Sequence, residues 1–476
     1  MGVWLPIVLY LGFLLASMLL LNQRFQSDQH YFLANRQIPA LWAIVSVVAT
    51  ESSVATILVF PQAGYQTGLA LIPLCLGFIG GRLFVAYFFL PALYGSSQLS
   101  IYASMSSASR LARISLSLVY LIAKFLSSGV RFFMGGLALQ ILFGQMGLQS
   151  PVLATSAWIL GLAAVAGAYS LSGGLKAVIL TDQLQGYVIL FMGVVLLATV
   201  WPVGGAASFL PSPSAWLDWK FNWHNALYAP VLFAGAFVLS IGSHGCDQDM
   251  LQRILATRDL KAARYSLAWS GLAASIVIVL YLLIGMGLGQ QATDMQGLYP
   301  VIDFVRSHPN PWLQGSFAVL LLAAAMSTLD SALHSTGLIW KDIFPSQRPG
   351  RFYAALSLIL LVLTALGFAW QSNRDFLSLA MGTMNYVNGA LIAITSLFIF
   401  KRQRLATKTI LTALAAGFGT TLAANSIPCA LDPISGKALY LGWTWVTILS
   451  TAAALMAALM AQFTERSPLI TQLAQK

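Results

Sequence analysis

The sequence contains few charged residues and few cysteines. Asp, Glu, Lys and Arg together make up 8% of its 476 residues, about a third of the ~25% found in soluble domains. With 58% hydrophobic residues, the chain has too little charge to cover a solvated surface, which excludes a soluble globular protein. Its three cysteines, Cys75, Cys246 and Cys429, are too few and too scattered for a disulfide framework or a zinc site.

Two kinds of motif are also missing. The sequence has no GxxxxGKS/T loop to hold nucleotide phosphates, so nothing points to ATP hydrolysis as an energy source. His244 and His334 lie far apart, outside any metal-spacing or nucleophile motif. We therefore do not expect an enzyme, and any transport has to be driven by a gradient.

Long apolar runs are abundant. Thirteen of them approach or exceed the ~20 residues that a membrane-spanning helix needs: 3–21, 40–64, 70–93, 114–143, 152–171, 175–201, 228–245, 262–289, 313–339, 352–371, 375–400, 409–427 and 440–463. The sequence therefore predicts an all-α integral membrane protein with about thirteen transmembrane helices.

The net charge of +11 follows from topology rather than from nucleic-acid binding. If the N-terminus lies outside and the spans alternate, eighteen of the 25 Lys and Arg residues fall in inner loops and the C-terminal tail, and four fall in outer loops. Such a bias obeys the positive-inside rule. We expect a multi-pass protein of the cell (inner or plasma) membrane, with its N-terminus outside and its C-terminus in the cytoplasm. The lipid bilayer is its expected partner, and nucleic acid is not.

Six ionisable residues lie within the predicted spans. They are Glu51, Arg82, Lys124, Arg131, Asp182 and Asp330. Charges at membrane depth usually face the bundle interior and mark ion or substrate paths. Arg82 and Lys124 lie close enough to the inner ends of their spans that we expect them to snorkel to the surface. We expect Glu51 and Arg131 to pair; the alternative is that they bind the amino and carboxylate groups of a solute.

One late span contains the polar segment AAAMSTLDSALHST, residues 323–336. On a helix, Ser327, Asp330 and Ser331 occupy positions i, i+3 and i+4, so one face presents two hydroxyls and a carboxylate. Oxygen ligands of this kind suit a small hard cation or a proton. Alternatively, small and hydroxylated residues merely let helices pack closely. This alternative stays open for Ser335 and Thr336, which end the segment.

Three further stretches are polar. Residues 47–68 combine hydroxylated side chains with Pro61, and a discontinuous helix of this kind is typical of a transporter's central site. Residues 172–187 begin with a Gly-Gly turn ahead of Asp182. Residues 242–264 are charged, and we expect them at the cytoplasmic surface as a gate or a solvated connector.

Four segments, taken in order, resemble the sodium:solute symporter family, which includes bacterial proline, sugar and sialic-acid carriers. They are YFLANRQIPALWAIVSVVATESS with PQAGYQTGLA, SGGLKAVILTDQLQ, CDQDMLQRILATRDLKAAR and AAAMSTLDSALHST. The resemblance runs from about residue 31 to residue 401 and implies a core of two inverted five-helix repeats with discontinuous first helices. The corresponding divisions are 1–39 (first helix and inner loop), 40–201 and 202–401 (the repeats), and 402–476 (two peripheral helices and a cytoplasmic tail).

The resemblance also implies a sodium site where the broken helix of the first repeat crosses the third helix of the second. The matching ligands are the backbone carbonyls of Ala49, Ser52 and Ala324 and the hydroxyls of Ser327 and Thr328. Some members hold a second sodium ion, and the matching positions are Asp182, Asp330 and Ser331, with Ser327 shared. Because an aspartate, Asp330, stands where those members have serine, we expect a second cation or a proton there.

Positions that bind sugar in the family's sugar carriers read Ala55, Thr56 and Cys75 here, which departs from the sugar pattern. Six candidate solute contacts follow: Glu51, Thr56, Cys75, Arg131, Asn385 and Asn388. We predict a symporter that uses Na⁺ to import a small polar solute, such as an amino acid or organic acid, by alternating access, with no protein partner implied. Proton coupling on the same fold is one alternative. A non-transporting membrane solute sensor is the other, although the sequence contains no soluble signalling domain.

Overall fold

Helices make up almost all of the described chain. The computed structural model describes residues 2–21, 25, 27–96, 98–105, 109–144, 147–148, 150–201, 216–290, 299–344, 348–371, 374–401, 405–431 and 437–474. The helices are α1 (Trp4–Leu21), α2 (Asp28–Leu33), α3 (Ala40–Glu51), α4 (Val54–Thr67), α5 (Ile72–Phe84), α6 (Leu90–Tyr94), α7 (Ile101–Met105), α8 (Arg110–Phe143), α9 (Pro151–Val200), α10 (Ala229–Gly245), α11 (Gln248–Leu255), α12 (Leu260–Gln290), α13 (Pro300–Ser307), α14 (Pro311–Ile343), α15 (Gly350–Gln371), α16 (Arg374–Lys401), α17 (Thr407–Ser426) and α18 (Trp443–Ala474). A short antiparallel ladder joins β1 (Ala430–Leu431) to β2 (Ala438–Leu439).

Eight of the described helices are long and apolar enough to cross a membrane, or up to ten if each bent pair forms one span. The predicted number of thirteen is therefore not confirmed. Part of the difference lies in α9, whose 50 residues cover two of the predicted runs. It bends at Gly174, which has φ +60°, a conformation that side chains disfavour. The ring of Phe25 and the carbonyl of Tyr31 also lie 2.9 and 3.0 Å from the place of a Cβ there.

The first bent pair is α3 and α4, whose axes differ by 67°. Ser52 has φ −79° and ψ 63°, and Ser53 is extended and forms the N-cap of α4. Serine competes with helix formation by bonding nearby backbone groups, so two in succession favour a break here. Pro61 lies farther along, inside α4, and its carbonyl lies 1.9 Å from the place of a Cβ on Gly285. Only glycine at that position lets α4 and α12 pack backbone against backbone.

The second bent pair is α10 and α11, whose axes differ by 61° across Cys246 and Asp247. All eight residues of α11 are buried. The prediction of a solvated connector within residues 242–264 is therefore wrong for this helix, because its charged side chains find partners in the interior. Each of the two predicted repeats thus begins with a broken helix.

The most enclosed span is α14, with 94% of its apolar window buried. It packs against α1, α8, α9 and α15, and all of residues 327–336 are buried. A polar group in such a position has to be satisfied within the protein, since neither water nor lipid reaches it. The partners of these residues therefore define the candidate site.

Candidate binding site at the broken helices

The break between α3 and α4 leaves two backbone carbonyls free. In an unbroken helix the N–H of Ser53 would donate to the carbonyl of Ala49, but here it donates to that of Glu51 (2.9 Å). Among the described residues, no donor bonds to the carbonyl of Ala49 or of Ser52. Free carbonyls at membrane depth are tolerated where they line a cavity or hold an ion.

The hydroxylated face of α14 lies beside this break. The Oγ1 atom of Thr50 is 3.4 Å from Oγ of Ser327 and 3.1 Å from Oγ of Ser331. On the same helix, the hydroxyl of Thr328 donates to the carbonyl of Ala324, one turn earlier (3.0 Å). Free carbonyls on one helix and hydroxyls on the other make a neutral oxygen set of the kind that suits a small hard cation.

Asp182 lies on the other side of Ser327. One oxygen of its carboxylate accepts from Ser327 (2.7 Å), and the other accepts from Ser46 (2.5 Å) and from Arg253 (3.4 Å). Ser331 belongs to the same group, because Arg253 also donates to its hydroxyl.

Asp330 lies in a different hydrogen-bond group. Its two oxygens accept from the hydroxyls of Tyr169 and Ser170, both on α9. The amide of Gln185 extends this group by donating to Tyr169 (3.4 Å). The three residues predicted as a second cation or proton position are thus divided, with Asp182 and Ser331 in one group and Asp330 in the other, and that position stays a prediction.

A cavity of about 360 Å³ opens beside the first break. Glu51, Ser52 and Ser53 form part of its wall, and Thr56, Asn385 and Asn388 add neutral polar groups. Five of the six candidate solute contacts therefore line one space. The sixth, Cys75, is absent from that wall and packs in a separate apolar cluster with Leu74 and Leu232.

Glu51 forms an ion pair with Arg82, and Nε2 of His244 lies 3.7 Å from its second oxygen. Arg82 is fully buried, so the prediction that it snorkels is wrong; the carboxylate at the break supplies the partner that water would otherwise supply. The predicted pairing of Glu51 with Arg131 is also wrong, since no such ion pair occurs among the described residues.

Lys124 also stays inside the protein. Its ammonium lies 2.9 Å from Asp247 and 2.7 Å from Asp249, and the residue is 3% exposed. The prediction that it snorkels is wrong for the same reason. Tyr120 donates to the other oxygen of Asp247 (2.7 Å), so the carboxylate at the second break is fully engaged.

Arg131 is the exception among these charges. It lines the cavity, and no carboxylate of the described chain lies within ion-pair distance of it. A guanidinium carries five donors and stays protonated. Glu51, Lys124 and Asp247 all have ion-pair partners, so Arg131 is the one charged side chain of the cavity wall without one among the described residues.

Sequence reasoning missed the wall that the second break provides. Ser243, His244 and Asp247 line the cavity, although their segment was expected at the surface. A signal was present: GSHGCD interrupts an apolar run at the start of the second half, much as ATESS does in the first.

Two broken helices enclosing free carbonyls, hydroxyls and a polar cavity are features of a secondary membrane transporter. The model of the sodium:solute symporter family matches residues 31–417, and the chain belongs to this family. It is therefore a transporter and not an enzyme.

Named relatives agree with this placement. The chain is 25% identical to the sodium/sialic acid symporter SiaT of Proteus mirabilis, over 78% of this chain and 81% of the relative. It is 26% identical to the sodium/pantothenate symporter of Haemophilus influenzae, over 77% and 78% of the two chains. The relative from Vibrio parahaemolyticus, a sodium/glucose cotransporter, is 25% identical over 74% and 73%.

Solved structures identify the fold. A substrate-bound, outward-open Na⁺-coupled sialic acid symporter superposes with a TM-score of 0.80 at 19% identity, covering 97% of this chain and 98% of the other. A nucleobase-cation symporter gives 0.59 at 16% identity, covering 94% and 96%. The predicted fold class, an all-α membrane protein with an inverted-repeat core, is confirmed. Sodium-coupled symport of a small solute is confirmed as the function of its family.

Proposed function

We propose that this chain imports a small carboxylate-bearing solute together with sodium by alternating access. The observation that carries the proposal is that the first break borders both the cavity and the candidate ion ligands. Ser52 lines the cavity, and its carbonyl is one of the two free acceptors at the break. An ion held at that carbonyl and a solute in the cavity would contact the same residue, so binding of one favours the geometry that the other needs.

Sodium in this proposal is held by five oxygens: the carbonyls of Ala49, Ser52 and Ala324 and the hydroxyls of Ser327 and Thr328. These groups come from the end of α3, from the break itself and from α14, so they surround an ion only while the helices stay together. Sodium shifts the transport equilibrium because it binds that state more tightly than the other. The resulting coupling between ion and solute is expected to be ~1–3 kcal/mol.

The charges of the cavity select the solute. Arg131 is free to donate a bidentate hydrogen bond to a carboxylate, whereas the charge of Glu51 is already balanced by Arg82. An organic acid therefore suits the cavity better than a zwitterion does. Thr56 and Asn388 would bond the neutral polar groups of such a solute.

The topology belongs to the same proposal. Positive charge concentrated on one set of loops supports a cell-membrane protein with its N-terminus outside and its C-terminus in the cytoplasm. The divisions at 39/40, 201/202 and 401/402 separate the first helix, the two repeats and the peripheral helices, and each proposed repeat begins with a bent pair.

Uptake into proteoliposomes tests the function. Organic acids should accumulate when an inward sodium gradient is imposed and should not accumulate when choline replaces sodium. Uptake driven equally well by a pH gradient without sodium would favour the proton-coupled alternative. Solute binding without any uptake would favour the sensor. Either result would contradict the proposal.

A further inference from the structure

A π-helical turn, Val85–Phe89, joins α5 to α6. The N–H of Leu90 donates to the carbonyl of Val85 rather than to that of Ala86, its acceptor in an α-helix. With the wider turn, the carbonyl of Ala86 would accept from residue 91, but Pro91 has no N–H to donate. The carbonyl of Ala86 therefore needs a donor from outside its own helix. Turns of this kind are frequent at functional sites.

Arg264, near the start of α12, supplies that donor. Its Nε donates to the carbonyl of Ala86 (3.2 Å), and its guanidinium carbon lies 5.7 Å from the ring centre of Tyr87. Within the described part of the chain, its terminal nitrogens have no hydrogen-bond partner and no carboxylate lies within ion-pair distance of it. The guanidinium is thus held in place by one nitrogen, and its other two are available to bind a phosphate in a bidentate manner.

A second basic side chain lies on the same face of α12. Lys261 precedes Arg264 by three residues and is exposed. The neighbouring carboxylate, that of Asp259, caps the N–H of Ala262 (2.7 Å) and pairs with Arg258 (3.7 Å). Since no other described carboxylate pairs with Lys261 or Arg264, the start of α12 carries positive charge that the described protein does not balance.

An apolar groove of about 650 Å³ runs beside this charge. Tyr87, Phe88, Pro91 and Ala92 form one wall, and residues 398–400 of α16 form the other. The side chains of Tyr87 and Phe88 are 62% and 54% exposed. Because Arg264 lies over the ring of Tyr87, the guanidinium and the groove adjoin each other.

The groove lies near the ends of two candidate membrane spans, Ile72–Tyr94 and Met384–Lys401. In the proposed topology these are the cytoplasmic ends. A groove at this depth borders the acyl chains of the inner leaflet, and a guanidinium beside it is within reach of the phosphates. Basic pockets between transmembrane helices on the cytoplasmic side bind anionic lipid headgroups.

We propose that this groove binds an anionic phospholipid of the inner leaflet. Its acyl chains lie along the rings of Phe88 and Phe400, and its phosphate is held by Arg264 and Lys261. An anionic lipid is preferred over a zwitterionic one, because a choline headgroup brings a further positive charge beside two cations that no described carboxylate balances. The bound lipid joins α12 to α16.

Thermal unfolding of the purified, full-length protein in detergent tests the site. Phosphatidylglycerol should raise Tm more than phosphatidylcholine with the same acyl chains does, because a ligand that binds only the folded state stabilises it. Arg264→Gln should remove this difference, with phosphatidylglycerol binding weakened about tenfold or more. Arg110→Gln is the matched control. It removes an exposed arginine at the start of α8, outside the groove wall, and should keep the difference.

Two further measurements separate the lipid from a free anion and from a loss of folding. Inorganic phosphate alone should not raise Tm, and a rise equal to that with phosphatidylglycerol would overturn the lipid site. Ala92→Trp fills the groove, leaves every described contact of Arg264 in place and should also remove the lipid difference. It decides the question should Arg264→Gln fail to fold. Equal shifts by the two lipids in the wild type, or an undiminished preference for phosphatidylglycerol in either variant, would contradict the proposal.

Discussion

The two helix breaks bend by similar angles, 67° and 61°, but they differ in how their backbone groups are hydrogen-bonded. At the first, the carbonyls of Ala49 and Ser52 receive no donor among the described residues. At the second, Tyr102 donates to the carbonyl of Cys246 (2.8 Å), and Asp247 caps α11 through the N–H of Asp249 (2.9 Å). The first break leaves both carbonyls without a donor, whereas at the second break a hydroxyl and a carboxylate of the protein bond part of the freed backbone.

This difference separates the proposed exchangeable cation at the first break from the fixed side-chain charges at the second. In the proposed function, neutral oxygens at the first break bind a cation that can also leave. Carboxylates at and after the second break are held by Lys124 and Arg253, which stay with the chain. In the proposed alternating access, the first break therefore responds to the ion, and the second keeps its shape.

The largest expected effect comes from removing the fixed charge at the second break. Lys124→Ala leaves Asp247 and Asp249 short of a partner, and breaking a buried pair costs about 3–5 kcal/mol. Thermal unfolding in detergent should show a clear fall in Tm. The matched control is Lys176→Ala, an exposed lysine on α9, which should leave Tm almost unchanged. Equal Tm values for the two variants would contradict the assignment of the second break as charge-stabilised.

The second-largest effect is expected from a substitution in the cavity between the breaks. Hydrogen bonds to a charged group contribute ~1.5–3 kcal/mol, so Arg131→Gln should raise KM for an organic acid by about tenfold or more. The amide of the same acid lacks the charge, and its KM should change much less. The concentration of sodium giving half-maximal uptake should stay the same. If KM rose equally for the acid and the amide, Arg131 would not be the residue that recognises the carboxylate of the solute.

The proposed ion ligands at the first break should show a comparable or smaller effect. Ser327→Ala with Thr328→Ala removes two hydroxyl oxygens, and a loss of ~1.4 kcal/mol corresponds to a tenfold weaker affinity. Sodium dependence of uptake measures it as a rise in the half-maximal sodium concentration. Thr336→Ala is the control, since this buried hydroxyl on the same helix bonds, within the described part of the chain, only to the carbonyl of Ala332. A rise of equal size in the control would point to packing rather than to ion binding.

The smallest effect is expected at the second break, where the hydroxyl of Tyr102 bonds the carbonyl of Cys246. Tyr102→Phe removes the hydroxyl that bonds Cys246, at a cost of ~1 kcal/mol. A modest fall in Tm is expected, with sodium affinity unaltered. If sodium affinity changed more than stability, the second break would also be an ion site, and the contrast between the breaks would be lost.

The sequence was informative where chemistry is local. The polar segment of α14 and the depth of Arg131 were evident from residue type and periodicity. A discontinuity within residues 47–68 was expected from its hydroxyls and Pro61, but the break lies at Ser52 and Ser53, and Pro61 lies inside α4. The partners of buried charges were not, because pairing depends on which helices meet. Arg82, Lys124 and Arg253 lie 31, 123 and 71 residues from their partners Glu51, Asp247 and Asp182, distances over which periodicity carries no information.

Amide hydrogen exchange of the two breaks, with sodium and with choline in its place, tests the contrast most directly. Sodium bound across the first break stabilises the bound state, so exchange in residues 49–57 should slow markedly. Exchange in residues 246–254 should hardly change, because Lys124, Arg253 and Tyr102 already hold that break. Equal protection of both segments, or protection of the second alone, would contradict the account.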